Sequence, residues 1–158
     1  MKKAVRLQPD PIRFTQEGFE KLKKEHADLI DQRPHAVSEL KKAREMGDLS
    51  ENGYYKASRQ KLNFIDGQIR RTEYALKYAQ IIESSADPVV EIGKTVTLSD
   101  GERERVYEIV GDWEADPSAG KISLLSPLGK AVTNKKVGDE VVMEIPAGKK
   151  VYTVISLK

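Results

Sequence analysis

The sequence predicts an α+β protein. An N-terminal antiparallel coiled-coil hairpin should occupy residues 1–84, and a compact α+β domain should follow over residues 89–158. Three observations carry this reading. Apolar side chains recur at alternating spacings of three and four through the first half. A short polar hinge, Ser84-Ser85-Ala86-Asp87-Pro88, interrupts that pattern. Beyond the hinge, short runs rich in Val, Ile and Thr alternate with turn residues.

The first helical stripe is Phe19, Leu22, His26, Leu29, Arg33, Ala36, Leu40 and Ala43. The second is Tyr55, Ser58, Leu62, Ile65, Ile69, Thr72, Leu76 and Ala79. Such spacing lines side chains along one seam, as in a coiled coil. His26, Arg33, Ser58 and Thr72 are polar seam positions, which weaken the seam but fix its register. Thr15 is the expected N-cap of the first helix. Pro34 falls inside that helix and is expected to bend it or loosen one turn. Gly47 is placed to end it in the left-handed conformation. In the second half, strands are expected over Val89–Leu98, Arg105–Val110, Lys121–Leu125, Glu140–Ile145 and Val151–Leu157. Asp100-Gly101 marks a hairpin turn. Ser126 should cap a short helix over Pro127–Thr133, and Pro146–Lys150 should close the last hairpin.

The chain has 158 residues, 39% of them hydrophobic, 33% charged and 6% aromatic. That supports a core but also much solvated surface. It contains no cysteine, which excludes disulfides, thiolate metal sites and cysteine nucleophiles. Two histidines, His26 and His35, leave little material for a His-rich metal site or a Ser-His-Asp triad. No apolar run approaches the roughly 18 residues of a membrane span. The basic start, Met1 to Arg6, is not followed by the apolar stretch of a secretory signal, so a cytoplasmic location is expected. Through residue 83 there are 17 Lys/Arg against 13 Asp/Glu, and after it 10 against 12. A mildly basic half thus precedes a mildly acidic one.

The most informative segment is the expected hairpin tip, Ala43-Arg44-Glu45-Met46-Gly47-Asp48-Leu49-Ser50-Glu51-Asn52. Asp48 and Glu51 stand three apart, and two readings are open. They can form a capping-box variant, Asp48 capping the second helix and Glu51 reaching back. They can instead offer oxygens to one divalent cation. Mg²⁺ takes about six oxygens, so two carboxylates supply a fraction of a shell and a partner must supply the rest. Behind the tip lie Lys41, Lys42 and Arg44 on one helix and Lys56, Arg59 and Lys61 on the other. Singly, these are an ordinary solvated face. Together, beside an acidic tip, they make a collar that attracts phosphates. Tyr54 and Tyr55 can stack on a base, although Tyr55 also lies on the seam. Ile92-Gly93-Lys94-Thr95 is not a phosphate loop, because Pro88 stands where such a loop needs its first glycine.

These residues bear a family resemblance. Arg33-Pro34, the Gly47-Asp48-Leu49-Ser50-Glu51-Asn52 tip and Tyr55 resemble the Gre transcript-cleavage factors of bacterial RNA polymerase. Ile109-Val110-Gly111, Ile122-Ser123, Ser126–Ala131, Gly138–Val141 and Pro146–Gly148 extend the match, which covers nearly the whole chain from Phe14. The moderately basic helix behind the tip is closer to the GreA type than to GreB. The resemblance implies a coiled coil inserted into the polymerase secondary channel and a C-terminal domain of FKBP-like fold on the channel rim. It implies a transcription elongation factor that stimulates the polymerase's own cleavage of nascent RNA in backtracked complexes and is not itself an enzyme. Asp48 and Glu51 would then help hold a Mg²⁺ shared with the polymerase. Lys41, Lys42, Arg44, Tyr55, Lys56 and Arg59 would face polymerase or the RNA 3′ end. Ser126, Pro127 and Leu128 would contact the rim, and DNA would be met only through the elongation complex. The family often has Asn-Ala-Glu-Tyr after the tip acids, where this chain has Asn52-Gly53-Tyr54-Tyr55.

Two other functions compete. A relative can plug the channel as an inhibitor, which the two tip acids argue against. An FKBP-like domain can be a prolyl isomerase, which needs an aromatic-lined pocket. After Val89 only Tyr107, Trp113 and Tyr152 are available to build one.

Overall fold

The structure, a computed structural model, describes residues 10–47, 51–145 and 148–158. Its elements run β1 (Ile12–Phe14), α1 (Gln16–Glu45), α2 (Gly53–Lys77), β2 (Ala79–Ile81), β3 (Thr95–Ser99), β4 (Glu104–Val110), β5 (Lys121–Ser123), α3 (Pro127–Val132), β6 (Glu140–Ile145) and β7 (Gly148–Leu157). The fold class is the expected α+β arrangement, a long helical hairpin followed by a curled sheet domain. By packing, Glu20–Tyr78 form one unit, and the described residues up to Phe19 form the other with Ala79–Lys158.

Thr15 caps α1 as expected: its Oγ1 accepts the Gly18 N–H at 3.0 Å. The helix then runs unbroken through Pro34 to Glu45. Pro34 has no N–H to give the carbonyl one turn back, and the neighbouring turns carry the helix past it. Leu22, Ala36, Leu40 and Ala43 are buried on α1, and Ser58, Ile65, Ile69, Thr72 and Ala75 on α2. All but Ala75 belong to the two stripes read from the sequence. Ala36, Ile65 and Ile69 pack as one cluster with Leu29 and Leu62 beside it.

Polar pairs set the antiparallel register. His26 Nδ1 lies 2.8 Å from Thr72 Oγ1. Thr72 gives its own hydrogen to the carbonyls of Gln68 and Ile69, so the imidazole is the donor. Arg33 pairs with Asp66 at 2.7 Å, and Lys61 with Glu39 at 2.8 Å. Arg33 stands outside the buried seam, reaching round it to its partner. The Lys61 hydrogen bond, reinforced by the charges of Lys61, His35 and Lys42, holds the Glu39 carboxyl below the usual carboxylate range.

The second helix ends at Lys77, and Ala79, expected on its stripe, belongs instead to β2. The reason is pairing. β2 lies parallel to β1, Ile12 opposite Ala79 and Phe14 opposite Ile81, and the Ile82 N–H donates to the Phe14 carbonyl at 2.9 Å. The sheet of the second unit has the order β5-β4-β3-β7-β6. Within this sheet β4 and β5 run parallel and the other neighbours antiparallel. Val90, Val96, Leu98, Ile109, Ile122, Val132, Val141, Tyr152 and Val154 form its core. The strand expected from Val89 starts only at Thr95. Gly93 takes φ +85°, and the buried Lys94 ammonium turns back onto the carbonyls of Asp87 and Val89 and the Glu91 carboxylate. Ser126 caps α3 as expected, accepting the Gly129 N–H at 3.0 Å. The last turn is shorter than the expected Pro146–Lys150: Gly148, Lys149 and Lys150 belong to β7, because the ladder with β6 continues through Met143 opposite Lys150 to Ile145 opposite Gly148, and Pro146 and Ala147 lie outside the described residues.

A carboxylate joins the start of the chain to the sheet domain. Glu114 accepts the Thr15 N–H at 2.9 Å, the Thr15 hydroxyl, and the Gly111 N–H at 3.2 Å. The closeness demands glycine at position 111, where a Cβ would stand 1.9 Å from the Arg13 carbonyl oxygen.

Two outcomes follow from this packing. Ile69→Ala should cost about 2–4 kcal/mol in chemical denaturation, whereas Arg33→Ala should barely move the midpoint, its ion pair being solvent-exposed. Asp100 is held down to about 2 by the Arg103 N–H, by Lys150 and by the Glu102 N–H. Its contribution to stability is complete above its ordinary value of 3.8 and is lost as pH falls from there toward 2. Asp100→Asn should therefore flatten the pH dependence of unfolding in that window.

Candidate functional site at the hairpin tip

The tip is built by ending one helix and starting the next within seven residues. Gly47, at φ +73°, takes the chain out of α1. A side chain there would be strained, which is why glycine serves. Asn52 starts α2: its Oδ1 accepts the Tyr55 N–H at 3.0 Å. Its Nδ2 reaches back across the tip to the carbonyls of Ala43, at 3.1 Å, and Gly47, at 3.5 Å. One carboxamide therefore serves unpaired groups at the ends of both helices.

This geometry corrects the capping reading of the tip acids. The cap of α2 is Asn52, and Glu51 precedes it, so Glu51 is not at the third helical position that a capping box requires. Glu51 is exposed and sits at the N-terminal end of α2, where the helix dipole favours a negative charge. Asp48 lies outside the described residues. Asn52 as the cap was legible in principle, since Asn is among the strongest N-cap residues.

Of the basic residues behind the tip, Lys41, Lys42, Arg44, Lys56, Arg59 and Lys61 are all exposed, and Lys61 is paired with Glu39. Tyr55 is half-buried, on the seam side, and Tyr54 is the more open ring at 42% exposure. Among the described residues, no group of three or more His, Cys, Asp or Glu side chains is placed to hold a metal ion. What the tip offers is the exposed Glu51 carboxylate, free of the helix cap, with Glu45 also exposed at the end of α1 and cationic side chains behind.

At the other candidate surface, Ser126 is used internally. Its Oγ donates to the Ser123 carbonyl at 2.7 Å as well as capping α3, and Leu128 packs against the domain core. Pro127 is exposed, as is Leu125 next to the cap, at 65%. A cavity of about 450 Å³ opens nearby, with Pro11, Ile12, Ile92, Trp113 and Leu124 in its wall. Trp113 is its one aromatic among the described residues. Tyr152 is buried in the core and Tyr107 packs against it. The aromatic-lined pocket that a prolyl isomerase needs does not assemble there.

Comparison with known proteins places this architecture. Residues 12–81 match the family model of the transcription elongation factor N-terminal domain, and residues 85–158 that of the GreA/GreB C-terminal domain. The chain belongs to the GreA/GreB family of transcription elongation factors. It is 47% identical over 148 residues to transcription elongation factor GreA of Staphylococcus carnosus, covering 90% of this chain and 92% of that one. It is 41% identical over 150 residues to GreA of Neorickettsia sennetsu, covering 92% and 94%. Among solved structures, GreA factor homolog 1 of Thermus thermophilus is 26% identical, covering 94% of this chain and 99% of that one, with a TM-score of 0.45. Among the described residues no helix is long and apolar enough to cross a membrane.

Gly53 opens α2 with no heavy atom within 4 Å of where a Cβ would stand. Gly53→Ala should raise stability by about 0.5–1 kcal/mol, read as a higher denaturation midpoint.

Proposed function

We propose that this chain binds RNA polymerase through its secondary channel and stimulates the polymerase's own cleavage of nascent RNA in backtracked complexes. The observation that carries the reading is the separation of cap from carboxylate. Asn52 does the structural work at the start of α2, and Glu51 is left exposed with no part in it. Family membership supports the same reading.

The side chains then have distinct tasks. Glu51, with Asp48, presents carboxylate oxygens to the polymerase active centre. Those are hard donors of the kind Mg²⁺ takes, and two of them leave most of a six-oxygen shell to the partner. A Mg²⁺ held jointly would supply Lewis acidity at the scissile phosphate and lower the pKa of a bound water. Lys41, Lys42, Arg44, Lys56 and Arg59 draw the phosphates of the RNA 3′ end toward the tip. Tyr54 offers an open ring to a base. Pro127 and the exposed Leu125 beside Ser126 provide the rim contact. The isolated chain, having an incomplete metal shell, is inert toward RNA, and its place is the cytoplasm where the polymerase works.

The test is the double variant Asp48→Asn, Glu51→Gln in a stalled, backtracked polymerase complex. Stimulated cleavage should fall by at least about a hundredfold, the scale of losing positioned catalytic groups. The melting temperature and polymerase affinity should hold, because Asn52 keeps the cap. Retained cleavage would remove both acids from the mechanism. An unsubstituted chain that blocks transcription without provoking cleavage would make it a channel-plugging inhibitor instead.

A further inference from the structure

We propose that Asn52 is a positioning residue for the tip, fixing where Glu51 stands, an inference that rests on the cleavage reading above. A cap needs only an acceptor, and Asn52 Oδ1 supplies it to the Tyr55 N–H. The amide nitrogen is the part the cap does not use. It is spent on the Ala43 and Gly47 carbonyls of the opposite helix end. The two sets of partners fix the orientation of the carboxamide, since only oxygen can face the Tyr55 N–H and only nitrogen the carbonyls. Gly47 therefore sets the entry to the tip segment and Asn52 its exit, with Glu51 covalently next to the exit. Holding the Asn52 carboxamide from both sides removes conformations from the Glu51 backbone joined to it, which is how a reactive side chain is held to a useful position.

Asn, Asp and Ser cap helices about equally well. Only Asn also donates across the tip: Asp would set an anionic oxygen against the Ala43 carbonyl, and Ser lacks both the reach and the NH₂. Asn52→Ser and Asn52→Asp thus separate capping from positioning. Three measurements on the full chain decide the matter: cleavage in a backtracked polymerase complex across a range of factor concentrations, thermal melting, and amide hydrogen exchange at Glu51 and Asn52. The expected result is a saturated cleavage rate lower by about ten- to a hundredfold in both variants. The half-saturating concentration should stay put, the melting temperature should fall only by the few degrees that a lost hydrogen bond costs, and exchange at Glu51 and Asn52 should quicken. A saturated rate close to the unsubstituted one in either variant would overturn the proposal. So would a loss that merely tracks weaker binding or a larger fall in melting temperature. If the unsubstituted chain stimulates no cleavage, the functional reading fails separately. Tip exchange then decides alone, and unchanged exchange in both variants would overturn the cross-tip restraint.

Discussion

The register of α1 against α2 is the constraint on which the tip depends. Ala36 sits against Ile65 and Ile69, and its small side chain lets the helices close on the branched ones. Burial of that kind is worth roughly 1.5–3 kcal/mol per large aliphatic side chain, but it tolerates sliding. The polar pairs do not. His26 with Thr72, Arg33 with Asp66 and Glu39 with Lys61 step along the hairpin as a ladder whose partners rise on one helix and fall on the other. A slip of one turn would break every rung. The last step of the ladder is Asn52 with Ala43, so the geometry of the tip follows from contacts made well behind it.

The sheet domain holds the start of the chain with comparable economy. Thr15 caps α1 with its hydroxyl oxygen while its N–H and hydroxyl proton go to Glu114. The same carboxylate takes the Gly111 N–H. β1 and β2 pair beside this knot, and residues distant in sequence become one packed unit with the five-stranded sheet.

Much of this was legible in the residues. The hairpin seam followed from the three-four spacing, because a coiled coil buries what the helix period aligns, and eight of its nine buried side chains lie on the stripes so read. The caps Thr15 and Ser126 were legible because a side-chain oxygen before a helix has a local partner. What escaped was decided at a distance. Ala79 continues the apolar spacing of α2, and only its pairing with Ile12, 67 positions earlier, makes it a strand. Val90 and Ile92 are as apolar as a strand, yet the Lys94 side chain folds the backbone around itself. At the tip, the acids at positions 48 and 51 carried the chemical signal. The asparagine after them carried the structural one, through contacts nine residues back that no local pattern announces.

The Asn52-Gly53 junction also bears on how the protein ages. In a free chain, an asparagine followed by glycine is the pair most open to deamidation. The next backbone nitrogen, unscreened by any side chain, attacks the carboxamide carbon and expels ammonia through a cyclic imide. Hydrolysis of that imide leaves aspartate, or an isoaspartate that lengthens the backbone. In the folded hairpin, the bonds to Tyr55 and Ala43 hold the carboxamide in place, and Gly53 is already the first residue of a helix. The fold of the tip thus serves as its chemical shelter. Each excursion that frays the hairpin end exposes the junction, and a single such event would replace the donor facing Ala43 with a negative charge.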